Sequence, residues 1–319
     1  MSEIRPFVIG VDIGGTKTRV ATAPVDDATG ALLEDVIVAS AAWRPQLGDA
    51  RADAMGLRNL LVRLLGDAAL HAPLAVGAHG CDNASQCDEL AGELRTQFFG
   101  PVVVVNDSEL MPLAVGQVNA IGVVVGTGSI ATARTASEQL ITAGGWGWLL
   151  GDEGSAPGLV RDAVTAALSH LDRGGAIDPL IERLMAAFGA GDAAELALAA
   201  TQDAGAESWG QHAPEVFAAA DEGSTLALLV IESAGAQLAQ LVRMLFERGV
   251  AARAIVAGGS VIEKQPRLQN ALRTALARTH PDIPFVILDQ PPVHGAIALA
   301  RHSAVKTSQN PSRTESARA

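Results

Sequence analysis

One strand-turn-strand pattern occurs twice in the sequence, once at the start of each half of the chain. Residues Ile9–Ala23 read IGVDIGGTKTRVATA, and residues Ile121–Arg134 read IGVVVGTGSIATAR. Each segment is an apolar strand, a turn that contains glycine and threonine, and a second strand. A repeated supersecondary unit indicates two related domains, which we expect to face each other across a cleft. Chance similarity between two apolar hairpins is the alternative interpretation.

The residues around these hairpins predict a mixed β-sheet with helices on its faces. Three strands joined by turns come first, with the polar turn DDATG before the third: Phe7–Ile13, Lys17–Val25 and Leu32–Ser40. A helix, a short buried strand, a second helix and another buried strand follow: 49–70, 74–78, 85–98 and 102–105. Hairpin-linked strands followed by alternating strands and helices are typical of an α/β fold.

We therefore predict two α/β domains. The boundaries that we assign are residues 1–117 for the first domain and 118–291, with a helical insertion, for the second. A final helix at 292–302 is expected to return to the first domain. The polar segment at 303–319 is expected to be disordered, because it contains few apolar residues that could pack.

Composition and charge exclude several classes of function. The chain of 319 residues has a net charge of -12 and a pI near 5.0, so its surface repels nucleic-acid phosphates and anionic lipids. From its first residues we expect neither a signal peptide nor a membrane anchor. The two cysteines, Cys81 and Cys87, are too few for a disulfide framework or a four-ligand zinc site, and we expect free thiols. These properties predict a cytoplasmic enzyme or binding protein.

The turn within VDIGGTKT (11–18) is a candidate phosphate-binding loop. A Walker loop has its lysine directly after the last glycine and before a helix, whereas here a threonine intervenes and a strand follows. The spacing of a dinucleotide fingerprint is absent as well. Glycines permit a tight turn whose backbone N–H groups can approach a phosphate. We expect phosphate contacts from the residues of this turn: Gly14, Gly15, Thr16, Lys17 and Thr18.

Asp12 lies at the end of the strand before this turn, and GTGS (126–129) forms the matching turn of the second hairpin. A carboxylate beside phosphates needs a cation between them, so Asp12 is a candidate to hold Mg²⁺ or its bound water. The second hairpin has Val124 at the equivalent position and keeps only hydrogen-bond donors. Two such turns could hold one nucleoside triphosphate, with Thr127 donating its hydroxyl to a phosphate oxygen.

Several motifs in a fixed order resemble the sugar kinase, Hsp70 and actin superfamily. After VDIGGTKT come VVVVNDSELMP, VGTGSIA and IVAGGSV, and the segment GGWGWLLGDEGS (144–155) is similar to N-acetylglucosamine kinases and the related BadF/BadG ATPase group. The resemblance spans about residues 8–300. It implies two ribonuclease H-like, actin-like ATPase domains, each a mixed five-stranded sheet flanked by helices, with a cleft between them. It also implies ATP and Mg²⁺ as cofactors.

The resemblance assigns roles to residues in three of these motifs. Asp107 is implied as the general base for a sugar hydroxyl, with Asn106 beside it at the substrate; capping of the next helix is the alternative for both. Adenosine binding is implied for the turn Gly258, Gly259 and Ser260, which an ordinary strand-to-helix turn would also explain. Phosphate binding is implied for Gly126, Thr127 and Gly128.

The segment at 144–155 is implied to contact the sugar. In this resemblance Asp152 accepts the sugar hydroxyls, Gly145 and Trp146 form the wall near the C2 substituent, and Ser129 lies nearby. A flat apolar ring beside polar acceptors suits a pyranose, which has both C–H faces and hydroxyl edges. Helix capping is the alternative for Asp152, and we expect at least one of Trp146 and Trp148 to pack in the core.

Two departures from the family pattern concern the sugar acceptor. The loop after the third strand has Trp43 and Arg44 where family members usually have a sugar-binding asparagine, and Ile130 replaces another asparagine. These departures leave the identity of the acceptor open. His79, in GAHGCDN, is expected to have a structural role more often than a ligand contact.

The resemblance implies an ATP-dependent kinase for the 6-hydroxyl of an amino sugar, with N-acetylglucosamine as the first candidate. The alternatives are a glucosamine kinase and an ATP-switched activator or sensor of the BadF type that does not turn over a sugar. A cytoplasmic homodimer without nucleic-acid or membrane partners is expected.

Overall fold

The computed structural model describes residues 6–26, 31–44, 46, 48–81, 83–137, 139–203 and 205–309. Most of the predicted turn DDATG lies outside these residues. The chain forms two compact units, one of residues Met1–Val118 with Leu288–Ala319 and one of residues Asn119–Ile287. Each unit contains one β-sheet.

The described residues form ten strands and eleven α-helices. The strands are β1 (Phe7–Ile13), β2 (Lys17–Pro24), β3 (Glu34–Ala39), β4 (Leu74–Ala78), β5 (Val102–Asn106), β6 (Ala120–Val125), β7 (Ser129–Arg134), β8 (Leu140–Gly144), β9 (Ala254–Gly258) and β10 (Phe285–Ile287). The helices are α1 (Ala50–Leu65), α2 (Ala84–Gln97), α3 (Leu110–Ala114), α4 (Ala156–Asp172), α5 (Pro179–Phe188), α6 (Ala193–Gln202), α7 (Ala206–Gly210), α8 (Ala213–Asp221), α9 (Thr225–Glu247), α10 (Pro266–Thr279) and α11 (Val293–Gln309). Short 3-10 helices lie at Ser40–Ala42, Asp67–Leu70, Asp107–Glu109 and Ile262–Lys264.

The two sheets have the same strand order. The first unit has the order β3-β2-β1-β4-β5, and the second has β8-β7-β6-β9-β10. In each sheet the three hairpin strands pair antiparallel. β4 pairs parallel with β1 and with β5, and β9 pairs parallel with β6 and with β10. The predicted fold of two mixed five-stranded sheets flanked by helices is confirmed, and the sequence repeat corresponds to the repeated hairpin.

In the first unit β1 is covered on both faces, as expected for the central strand of a mixed sheet. Ile9, Val11 and Ile13 belong to a core that includes residues of α1 and α2, whereas Val8 packs with residues of α3 and α11. A Cβ on Gly10 would lie 2.8 Å from the backbone nitrogen of Ile297, so glycine allows α11 to approach the strand closely.

The second unit has one large core around α9. By length and composition alone, α9 could cross a membrane. The bent pair α5 and α6 would pass the same test if the two helices formed one span. However, half of the most apolar stretch of α9 is buried in the unit, against β7, β8, α4 and α10 among others. The apolar character of α9 is therefore explained by core packing.

Two predicted boundaries differ from the structure. The last helix continues to Gln309, whereas the sequence predicts disorder from residue 303; residues 310–319 lie outside the described part of the chain. The turn at Gly258 and Gly259 does not open an α-helix directly, because a 3-10 helix comes first and α10 begins only at Pro266.

Candidate functional site

Three polar residues of the first unit lie at one edge of its sheet. Asp12 lies near the end of β1, His79 follows β4 and Asp107 follows β5. These strands are parallel neighbours, with Ile13 opposite Ala78 and Ala78 opposite Asn106. Because the carboxyl ends of parallel strands meet at the same sheet edge, three distant parts of the sequence converge there.

The candidate phosphate turn joins β1 to β2 beside this edge. The N–H of Gly14 donates to the carbonyl of Lys17 at 2.9 Å, which closes a tight turn. Gly15, Thr16 and Lys17 are exposed, so their backbone N–H groups and side chains are accessible to a ligand. The turn therefore has the form that the sequence predicts for phosphate contacts.

The hydroxyl of Thr18 is buried in a hydrogen-bond network that stabilises this turn, and it is not accessible to a ligand. Its side chain is fully buried, and the hydroxyl of Ser40 donates to the Gly14 carbonyl at 2.8 Å. Thr18 Oγ1 lies 3.0 Å from Ser40 Oγ and accepts a hydrogen bond from Trp43 Nε1, also at 3.0 Å. The Thr18 side chain therefore has a structural role, which Trp43 shares, and a phosphate contact by Thr18 stays a prediction.

Asp12 has the electrostatic properties of a cation site. Burial raises the pKa of Asp12 to about 7, and the neighbouring carboxylate of Asp107 acts in the same direction, whereas Arg19 opposes the shift. A cation near the two carboxylates would relieve both effects, so the residues present fit Mg²⁺. Within the described residues no group of three or more His, Cys, Asp or Glu side chains could hold a metal, so water and phosphate oxygens would supply the other ligands.

Asp107 and Asn106 have different environments although they are adjacent. Asn106 is buried, and its Nδ2 donates to the Cys81 carbonyl at 3.1 Å. Its Oδ1 accepts from the N–H of Ser108 at 3.0 Å, and Glu109 completes a capping box. The capping alternative thus describes the side chain of Asn106. The side chain of Asp107 is 30% exposed, which leaves the carboxylate accessible.

Arg44 occupies the loop where the family resemblance suggests an asparagine. Its side chain is buried with that of Asp53, and Arg44 Nη2 lies 2.6 Å from Asp53 Oδ2. Arg44 Nη1 also donates to the backbone carbonyl of His79 at 2.9 Å. This arginine therefore fixes the residue that follows β4, which lies beside Asp107. The sequence alone gives no signal for this contact, which spans 35 residues.

In the second unit two predicted nucleotide-binding turns lie side by side. The N–H of Val261 donates to the carbonyl of Val125 at 3.1 Å. A Cβ on Gly126 would lie 3.2 Å from Ser260 Oγ, and a Cβ on Gly259 would lie 2.6 Å from the Val125 carbonyl oxygen. The structure thus places the GTGS turn, in which Thr127 is exposed, directly against the turn of Gly258, Gly259 and Ser260.

Asp152 adjoins the same GTGS turn and is not a helix cap. The cap of α4 is Ser155, whose hydroxyl accepts from the N–H of Gly158. Asp152 is 7% exposed with a left-handed φ of 54°, and among the described residues its buried Oδ1 has no hydrogen-bond partner. Burial raises the pKa of Asp152, which backbone N–H groups of Ser129 and Gly147 partly oppose. An unsatisfied buried carboxylate oxygen is suited to accept from a ligand hydroxyl.

The loop before Asp152 contains the two candidate tryptophans. Trp146 is 75% exposed, whereas Trp148 packs against the ring of Trp209 with centroids 5.0 Å apart. The expectation that one of the two packs in the core is confirmed for Trp148. Arg161 donates to the carbonyls of Trp148 and Gly151, which holds this loop against α4.

Two further predicted residues have structural contacts in this region. Ser129 is buried and its hydroxyl donates to the Glu153 carbonyl at 2.8 Å, which supports the Asp152 segment; a sugar contact by Ser129 stays a prediction. Gly145 donates its N–H to the Ser129 carbonyl at 2.9 Å. Within the described residues, Cys81 and Cys87 are buried thiols outside any disulfide, as predicted.

Two sheets of identical strand order, each with a glycine and threonine turn after its first strand, define an actin-like ATPase fold. Residues 9–299 match the BadF/BadG/BcrA/BcrD ATPase family, and the chain belongs to this family. It is also similar to the N-acetylmuramic acid/N-acetylglucosamine kinase of Clostridium acetobutylicum, with 28% identity over 178 residues. That match covers 53% of this chain and 56% of the relative, little more than half the length of either.

Solved structures share the fold over most of both chains. A candidate N-acetylglucosamine kinase from Chromobacterium violaceum has 24% identity and a TM-score of 0.61, covering 92% of this chain and 99% of the other. A second one, from Porphyromonas gingivalis, has 18% identity, a TM-score of 0.62 and the same coverage. A glucokinase of the ROK family from Streptomyces griseus, solved with glucose and AMPPNP, has 19% identity and a TM-score of 0.54, covering 92% and 98%. At these identities the likeness shows the fold alone.

Proposed function

We propose that this protein is an ATP-dependent kinase that phosphorylates the 6-hydroxyl of an amino sugar, with N-acetylglucosamine as the favoured acceptor. The observation that carries the proposal is the convergence of Asp12, Asp107 and the Gly14–Lys17 turn at one sheet edge. Membership of an ATPase family supports the nucleotide, and the name of the Clostridium acetobutylicum relative supports the sugar.

In this proposal Asp107 takes the proton from the acceptor hydroxyl as that oxygen attacks the γ-phosphorus of ATP. A carboxylate that is partly exposed, at the end of a strand and close to the phosphate turn, can reach both reactants. The bond that breaks joins the γ-phosphorus to the oxygen bridging it to the β-phosphate, and ADP leaves with the electron pair.

The phosphate charge is balanced by residues from several turns. Asp12 would hold hydrated Mg²⁺, which supplies Lewis-acid stabilisation of the phosphate oxygens when bound. Thr16, Lys17 and Thr127, all exposed, would donate to these oxygens. Gly126, Gly128 and the turn at Gly258–Ser260 would accommodate the remainder of the nucleotide, because glycines allow close approach to the backbone.

The sugar contacts in this proposal come from the Asp152 segment. Its unpaired Oδ1 would accept from a sugar hydroxyl, which would satisfy a group that is otherwise buried at a cost. The exposed ring of Trp146, next to Gly145, would face the C–H surface or the C2 substituent of the sugar. The assignment of this segment to the sugar stays a prediction, as do the homodimer and the cytoplasmic location.

The test is ADP release from Mg-ATP with a panel of acceptors: N-acetylglucosamine, N-acetylmuramic acid, glucosamine, N-acetylmannosamine, glucose and none. N-acetylmuramic acid is included because the curated relative bears its name. Strong stimulation by an N-acetylated sugar, with the 6-phosphate as product by NMR, supports the proposal. ATP binding or slow hydrolysis without stimulation by any sugar would favour the activator or sensor alternative.

A further inference from the structure

We infer that His79 is a positioning residue for Asp107, an inference that rests on the proposed function. The backbone of His79 is fixed on both sides. Its N–H donates to the carbonyl of Ile13 at 2.8 Å, and its carbonyl accepts from Arg44 Nη1 at 2.9 Å. Because Arg44 is itself held by a buried ion pair with Asp53, the peptide cannot shift without disturbing the core.

The side chain of His79 lies between the proposed base and the phosphate turn. Its Nδ1 is 3.7 Å from Asp107 Oδ2. The opposite edge of the ring faces Gly15, where an added Cβ would lie 3.7 Å from both Cδ2 and Nε2. The imidazole therefore has the base on one side and the turn on the other, although its side chain is 48% exposed.

This arrangement orients the Asp107 carboxylate. Its Oδ1 accepts from the N–H of Ser108 at 2.9 Å, and the imidazole faces Oδ2. Contacts at both oxygens limit rotation of the carboxylate, so that a lone pair stays directed at the acceptor hydroxyl. A distance of 3.7 Å is too long for a hydrogen bond, but catalytic contacts often tighten when the substrates bind. A small misplacement of a reacting group lowers the rate strongly.

Three substitutions at His79 separate positioning from packing. Asparagine places an amide nitrogen near the position of Nδ1, glutamine places it near Nε2, and alanine removes both ring nitrogens. The assay is acceptor-stimulated ADP release, with His302→Asn on α11 as a control at an exposed histidine. A thermal melt of each variant reports on folding.

His79→Ala is expected to lower kcat about tenfold with the KM for ATP changed less than about twofold, since orientation affects the reaction more than ATP binding. His79→Asn is expected to stay within about threefold of the wild type, and His79→Gln to be as slow as the alanine variant. If the alanine variant does not fold, the contrast between asparagine and glutamine decides.

Other outcomes would overturn the inference. Wild-type kcat in His79→Ala, equal loss in the asparagine and alanine variants, or a raised KM for ATP at constant kcat would each exclude positioning of Asp107 through Nδ1. A wild type without acceptor-stimulated turnover refutes the proposed function, whereas an active wild type with one of the variant results above refutes only the inference about His79.

Discussion

Replacing Arg44 with methionine removes one half of a buried ion pair and should destabilise the first unit. The side chains of Arg44 and Asp53 are each 5% exposed, and Asp53 Oδ2 accepts from Arg44 Nε at 2.8 Å as well as contacting Nη2. The other oxygen, Oδ1, is buried without a partner in the part of the chain that the structure describes. Methionine would therefore leave an uncompensated buried carboxylate, at a cost of about 3–5 kcal/mol.

The double variant Arg44→Met/Asp53→Leu separates charge from volume. Apolar residues of similar size in place of a buried pair are often neutral or stabilising, so the double variant should recover most of the loss. For a unit of this size, about 2–4 °C per kcal/mol converts the single-variant cost into a fall in melting temperature of roughly 6–20 °C. Thermal melts of the wild type and the three variants, including Asp53→Leu alone, measure both effects.

The same variants test the role of Arg44 beside the site. The double variant lacks the donor to the His79 carbonyl, so we expect it to recover stability without recovering wild-type kcat. A melting temperature of Arg44→Met within about 2 °C of the wild type would refute the reasoning on stability, because that shift corresponds to 1 kcal/mol or less.

Two further predictions concern stability. Gly10→Ala should lower the free energy of unfolding by about 1–3 kcal/mol through overpacking, because a Cβ there would lie 2.8 Å from the nitrogen of Ile297. Gly92→Ala on α2 is the control and should be neutral or stabilising, because a Cβ there meets nothing within 4 Å. Urea unfolding midpoints compare the two variants, and equal effects would contradict the packing argument. Because burial raises the pKa of Asp12 to about 7, the folded nucleotide-free protein keeps a proton that the unfolded chain releases near pH 4. Its stability should therefore fall by up to about 4 kcal/mol as pH rises from about 4 to 7, and Asp12→Asn should remove this part of the slope; an unchanged slope in urea unfolding series would count against it.

The strands of the first unit and the hairpin repeat could be predicted from sequence because they depend on local patterns. The strand at Leu74–Ala78 agrees with its prediction to the residue, since an apolar run is bounded by polar and glycine residues on its C-terminal side and by proline on its N-terminal side. The identical strand order of the two sheets follows from the repeat. The continuation of α11 to Gln309 was not predictable from its polar composition.

The roles of residues within the site were harder to predict from the sequence, because they depend on contacts between residues far apart in the chain. Thr18 looks like a phosphate ligand in VDIGGTKT, yet Ser40 and Trp43 bury its hydroxyl from more than 20 residues away. The relation of His79 to Asp107 depends on the adjacency of β4 and β5, which spacing along the chain does not reveal. Asp12 could be proposed as a cation ligand from the sequence, because a carboxylate next to a phosphate turn calls for a cation.

The most direct test of the account is the rate of phosphoryl transfer in Asp107→Asn, measured by rapid quench with saturating Mg-ATP and the best acceptor from the panel. The variant is expected to transfer phosphate about 10²–10⁴-fold more slowly than the wild type, with nucleotide affinity retained, because asparagine cannot accept the hydroxyl proton. Wild-type turnover with an unchanged pH profile would contradict the assignment of Asp107 as the general base.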